Sequence, residues 1–178
     1  MLSADEGLAL LGPVWARFVE QCDVWVTEHH EALASRFSFT ARESDWLSFE
    51  LGLILHDGET DQFSYDATPD QSWVFAHTGG DGEYLVVLGD PSPGAIVLIA
   101  PMAFAGPAVV IAASVEEFLA VLVTVGMSPL VDLAYREAAA TVEDLVPDIG
   151  ELHRHLARAL DLEPVADPAA RIRHLNSG

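Results

Sequence analysis

The residues best placed to do chemistry lie between positions 77 and 84, in the run His-Thr-Gly-Gly-Asp-Gly-Glu-Tyr. His77, Asp81 and Glu83 combine an imidazole with two carboxylates, the groups an acid–base pair or a hard metal ion requires. The same residues suit a tight turn, because Asp and Gly are what such turns need. Glu83 would then open a strand with its side chain facing water. A Gly-rich loop can also cradle phosphate, but here Asp81 and Glu83 flank it, and neither a Lys nor a helix N-terminus follows. The turn is therefore the expectation, with Gly79, Gly80 and Gly82 as its structural residues. A metal-assisted or acid–base site near His77 and Asp81 stands as the alternative.

Other constellations fail on spacing. Asp57, Glu59 and Asp61 have the one-three-five pattern of a calcium loop, but the sixth place is Gln62 and the twelfth is Thr68. That loop requires Gly and Glu there. His153 and His155 are two apart on a predicted helix, so they point roughly 200° apart and cannot share an ion. His29 and His30 diverge in the same way. Cys22 falls on the apolar face of a predicted helix, a core position rather than a nucleophile. No Gly-x-Ser-x-Gly marks a serine nucleophile. The expectation is a chain with no catalytic residues, no metal and no cofactor.

Charge points elsewhere. The 178 residues hold 28 acids against 8 bases, a net −20, and every base is Arg. Arg17, Arg36 and Arg42 lie early, Arg136, Arg154, Arg158, Arg171 and Arg173 lie late, and none falls between. Such a surface repels nucleic acid and anionic membranes and attracts cationic proteins. The acids of the base-free middle, Asp57, Glu59, Asp61, Asp66, Asp70, Asp81 and Glu83, are the expected contacts for a basic protein partner. Trp73, beside polar residues, is the expected aromatic anchor. A single cysteine excludes an intramolecular disulfide, and the opening MLSADEG lacks the basic and apolar regions of a signal peptide. A cytoplasmic location is expected.

The elements that must position these residues follow from periodicity. Ser3 and Glu6 have capping-box spacing, and Gly12-Pro13 interrupts the first helix before a longer one that runs to about Ser35. That helix presents Trp15, Phe18, Cys22, Trp25, Val26 and His29 on one face. Leu51, Leu53 and Leu55 alternate as a strand, Asp57-Gly58 turns, and residues 62–67 return. Trp73 to Ala76 reads as strand or helix end, and residues 83–90 as a strand. Pro91 to Val115 carries no charge, long enough for a membrane span. Pro101 and Pro107 divide it into two strand-length runs, AIVLIA and AVVIAA, which read as buried strands.

Ser114 with Glu117 caps a further helix, one more begins near Pro129, and another after Pro147-Asp148 buries Ile149, Leu152, Leu156 and Leu160. Asp167 with Pro168 opens the last. Strands joined by short turns, then helices, predict an α+β fold with a largely antiparallel sheet and helices on one side. The single domain divides into a helical segment 1–45, a sheet core with its following helix 46–125, and C-terminal helices 126–178.

Within this pattern, an aromatic segment leads into Thr78-Gly79-Gly80-Asp81-Gly82. Apolar strands follow, and then the helix start Ser114, Glu117, Phe118, Leu119. Over about 50 residues, positions 73 to 123, this resembles the SUKH superfamily, which includes cell-wall-synthesis regulators of fungi and bacterial immunity proteins. The resemblance implies an α+β domain without catalytic residues that neutralises a toxin, often a nuclease, by direct binding. It also leaves open a regulatory adaptor of several partners. Upstream, residues 54–70 depart from the family pattern, which carries Leu-Pro and Tyr there.

Overall fold

The computed structural model of the protein describes residues 1–36, 47, 50–56, 65–78, 82–103, 106–136 and 143–177. Helix α1 spans Ala4–Arg36. Its start is fastened as the sequence predicts, with the Ser3 N–H and hydroxyl both donating to Glu6 Oε2, at 2.9 and 2.8 Å. Gly12 sits inside it at φ 68°, ψ −172°, which bends the helix just before Pro13.

Strands β1 (Ile54–Leu55), β2 (Ser72–His77), β3 (Tyr84–Leu88), β4 (Ile96–Ile99) and β5 (Ala108–Ala112) form one antiparallel sheet in sequence order. Helices α2 (Val115–Val125), α3 (Met127–Arg136), α4 (Glu151–Ala159) and α5 (Pro168–Leu175) complete the α+β fold. The Ser114 hydroxyl accepts the Glu117 N–H, and Glu117 Oε2 accepts the Ala113 N–H at 2.6 Å. Asp167 Oδ1 accepts the Ala170 N–H at the start of α5. Among the described residues no single helix is long and apolar enough to cross a membrane. The uncharged run is instead β4 and β5, as its prolines predict.

The main core lies between the helices and one face of the sheet. Trp15 stacks on Phe18 and meets Phe75 edge-on, and Phe75 meets Phe118 edge-on, so α1, β2 and α2 share one aromatic cluster. Each such pair adds about 0.5–1.5 kcal/mol beyond burial. Val74, Tyr84, Val86, Val97 and Ile99 occupy the opposite face and are also buried. Burial on both faces is why these strands read as unbroken apolar runs.

Three expectations need correction. The strand expected from Leu51 shortens to Ile54–Leu55, because Gly52 adopts φ 72° and ends the alternation. It pairs with β2; Asp57-Gly58 and residues 62–64 of the expected return strand lie outside the described residues, and Asp66 and Ala67 form a turn. Ile149 precedes α4 and is 36% exposed, so it is not among the residues that helix buries.

Candidate functional site

A bulge in β2 decides which side chains share a face. Val74 pairs with Val86 and Ala76 with Leu85, so Phe75 is the extra residue. Phe75 and Ala76 both belong to the helix-side core, and His77 falls opposite Tyr84 on the other face. Glu83 precedes Tyr84 and so points back toward the helices. There it is 4% exposed. Its Oε2 accepts the Thr78 hydroxyl at 2.6 Å, and its Oε1 accepts the hydroxyl of Tyr135 from α3.

The expectation that Glu83 faces water is therefore overturned, and so is its role as a surface contact. His77 and Glu83 lie on opposite sides of the sheet, which also removes that pairing from an acid–base site. Burial lowers the His77 pKa, and the neighbouring His56 lowers it further.

Trp73 is a second correction. It is 2% exposed, packed under the first turns of α1, where Gly7 approaches so closely that a Cβ there would lie 2.3 Å from the indole. Its burial follows from the period-two pattern it shares with Phe75. It anchors the helix to the sheet and offers no surface to a partner.

Asp66 and Asp70 are exposed, as expected of contact residues. They sit on a turn fixed by hydrogen bonds. The Tyr65 N–H donates to Thr68 Oγ1 at 3.0 Å, the Thr68 N–H to the Tyr65 carbonyl at 2.8 Å, and the Ser72 hydroxyl to the Pro69 carbonyl at 2.6 Å. Tyr65 stacks on Tyr84, whose hydroxyl also bonds Thr68. These contacts hold the two carboxylates against the second face of the sheet. Asp57, Glu59, Asp61, Asp81, Gly79 and Gly80 lie outside the described residues. Gly82, at φ 89°, holds the left-handed backbone that favours glycine at such a turn.

A polar cavity of about 310 Å³, not foreseen in the sequence, is lined by Glu50, Gly52, Met127, Ser128, Asp148, Gly150 and His153 among others. His153 Nδ1 accepts the Gly150 N–H at 3.1 Å, so the neutral ring carries its proton on Nε2. That nitrogen is buried without a partner among the described residues. Burial lowers the His153 pKa, Asp148 opposes that shift, and Arg154 adds to it. The ring is thus a neutral hydrogen-bond donor held at the start of α4. Its neighbours come from positions a hundred residues apart, so no local spacing announces the cavity. Among the described residues no three His, Cys, Asp or Glu side chains gather to hold a metal ion. Burial also raises the Cys22 thiol pKa, with Asp23 adding to it, which disfavours the thiolate.

The broadest feature is the distribution of carboxylates. Of the described acids, Glu50, Glu83 and Glu117 are wholly or partly buried and the others are exposed. Glu117 forms an ion pair with Arg171. With 28 acids and 8 Arg, one-to-one pairing of every Arg would still leave 20 carboxylates unmatched. Comparison with protein-family models, with curated proteins and with solved structures finds no match.

Proposed function

We propose that this chain is a non-catalytic binding domain of the SUKH type that captures a basic protein partner on its acidic surface. Its sharpest form is an immunity protein that neutralises a toxin by direct binding. The observation that supports this reading most strongly is the unmatched carboxylate charge. Folding gains little from it, since like charges repel in the compact state. It gains purpose when a cationic partner supplies the missing counter-charge, which speeds encounter and selects for sign.

A nucleic-acid-cleaving toxin has a basic substrate groove, and an acidic protein seated in it excludes the substrate. The motif resemblance over positions 73 to 123 favours this class of partner. A lone, buried cysteine suits a reducing, cytoplasmic setting.

The test is purification of the tagged protein from its source cells at low and high salt, followed by kinetics with the purified partner. One near-stoichiometric basic partner, released by salt, is expected. Asp66→Asn with Asp70→Asn should slow association more than it speeds dissociation. A partner whose association is indifferent to both changes would place the contact away from this turn. A neutral or acidic partner would contradict the electrostatic reading itself.

A further inference from the structure

The sheet has two edge strands, and they differ in what they offer another chain. At one edge β1 is only two residues long, Ile54–Leu55. At the other, β5 spans Ala108–Ala112 and has a strand, β4, on one side only. A free edge presents unpaired N–H and C=O groups to any other strand, and charged side chains or proline on it ordinarily discourage pairing. β5 reads Ala-Val-Val-Ile-Ala, apolar and β-prone, and carries neither.

What stands on this edge is the end of α5. The Asn176 side chain meets both backbone groups of Val110: its Oδ1 accepts the Val110 N–H at 3.1 Å, and its Nδ2 donates to the Val110 carbonyl at 2.8 Å. A strand residue in an antiparallel ladder makes the same pair of bonds, so the carboxamide takes a strand's place. Nδ2 also donates to the Ile172 carbonyl at 2.8 Å, which fixes the amide from within α5. The helix is in turn fastened beside the strand. Ala169 and Ile172 are buried, and Arg171 pairs with Glu117, the carboxylate that accepts the Ala113 N–H just past β5.

We propose that β5 is a strand-accepting edge held shut by α5, and that Asn176 keeps a second copy of the chain from adding to it. The register favours a second copy as the occupant. Val110 is the middle residue of β5, with both backbone groups turned outward to Asn176. Two antiparallel β5 strands related by a two-fold axis would therefore bond Val110 to Val110. The pairing brings apolar residues together and puts no charge in either strand. The net charge of −20 opposes the approach of two copies, a repulsion that salt screens.

The test is sedimentation velocity of the full chain over a range of concentrations in about 0.3 M salt, where charge repulsion is screened. Amide hydrogen exchange is read on the same samples. The wild type should stay monomeric. Asn176→Ala should form concentration-dependent dimers, and in dilute, monomeric samples its Val110 amide should exchange about five- to tenfold faster than in the wild type. Adding Ala108→Lys, at an exposed position of β5, should return the Asn176→Ala chain to monomer, because a charge on the edge disfavours pairing. Arg171→Gln loosens α5 without touching Asn176 and gives the reading should Asn176→Ala unfold. It should dimerise too, at higher concentration.

Variants that remain monomeric at every concentration would overturn the guarded edge, as would dimers that survive Ala108→Lys. So would a Val110 amide that exchanges at the wild-type rate in Asn176→Ala.

Discussion

Glu83 and the acids of α1 show two uses of the same functional group. Glu83 is enclosed at the start of β3, with Thr78 and Tyr135 donating to its two oxygens. Glu20, Asp23 and Glu28 stand on an exposed helix face with no such donors among the described residues. A buried carboxylate persists only when its hydrogen bonds are supplied, and it then ties together the elements that supply them. An exposed one contributes little to folding and remains available to another molecule. The fold depends on the first kind, and the proposed function on the second.

The comparison breaks most sharply at Glu83. Replacement by Ala strands the hydroxyls of Thr78 and Tyr135 and should cost about 2–4 kcal/mol. Urea unfolding of wild type and variant measures it, and a loss below the error of that method would mean the contact is incidental. Gly7→Ala tests the neighbouring attachment of α1 to the sheet. The new methyl meets the Trp73 ring, so a loss of about 1–3 kcal/mol is expected from overpacking. An unchanged midpoint would show that α1 can shift freely on β2.

His153 adds a pH dependence to the structural side. Burial lowers its folded pKa, so the folded state binds fewer protons than the unfolded chain below about pH 6.5. Its share of the stability is complete above that value and is lost as pH falls through the folded pKa. His153→Gln should remove that part of the acid slope, read as the difference between the two stability–pH curves. Parallel curves would exclude this role.

The smallest effect is expected on α1. Neutralising Glu20, Asp23 and Glu28 relieves like-charge neighbours and should raise stability by no more than about 0.5 kcal/mol per pair. Thermal unfolding at low salt checks the sign. A clear loss would mean that these acids serve the fold after all.

Much of the fold is legible in the sequence, for identifiable reasons. Ser3 with Glu6, Ser114 with Glu117, and Asp167 with Pro168 each announce a helix start that the backbone adopts. Pro101 and Pro107 turn an apparent membrane span into β4 and β5. Glu83 is not legible in the same way: Tyr84 to Val87 are apolar on both faces of β3, so the sequence leaves the carboxylate in water, and only the packing of Thr78 and Tyr135 against it encloses it.

The bulge at Phe75 was not legible, because it depends on register with β3, and it is what sends His77 to the other face. The His153 cavity was equally hidden, since Glu50, Met127 and Asp148 meet it only in three dimensions. The acidic α1 face lies in between. Its charges are plain in the sequence, but that Arg17 points away to Ala159 is not.

The most direct test of the central claim is the association rate of the chain with its co-purifying basic partner, measured across ionic strength. A steep fall in that rate with added salt, with the intercept at low salt reduced by neutralising the exposed acids, is the predicted result. An association rate indifferent to both salt and neutralisation would contradict the account.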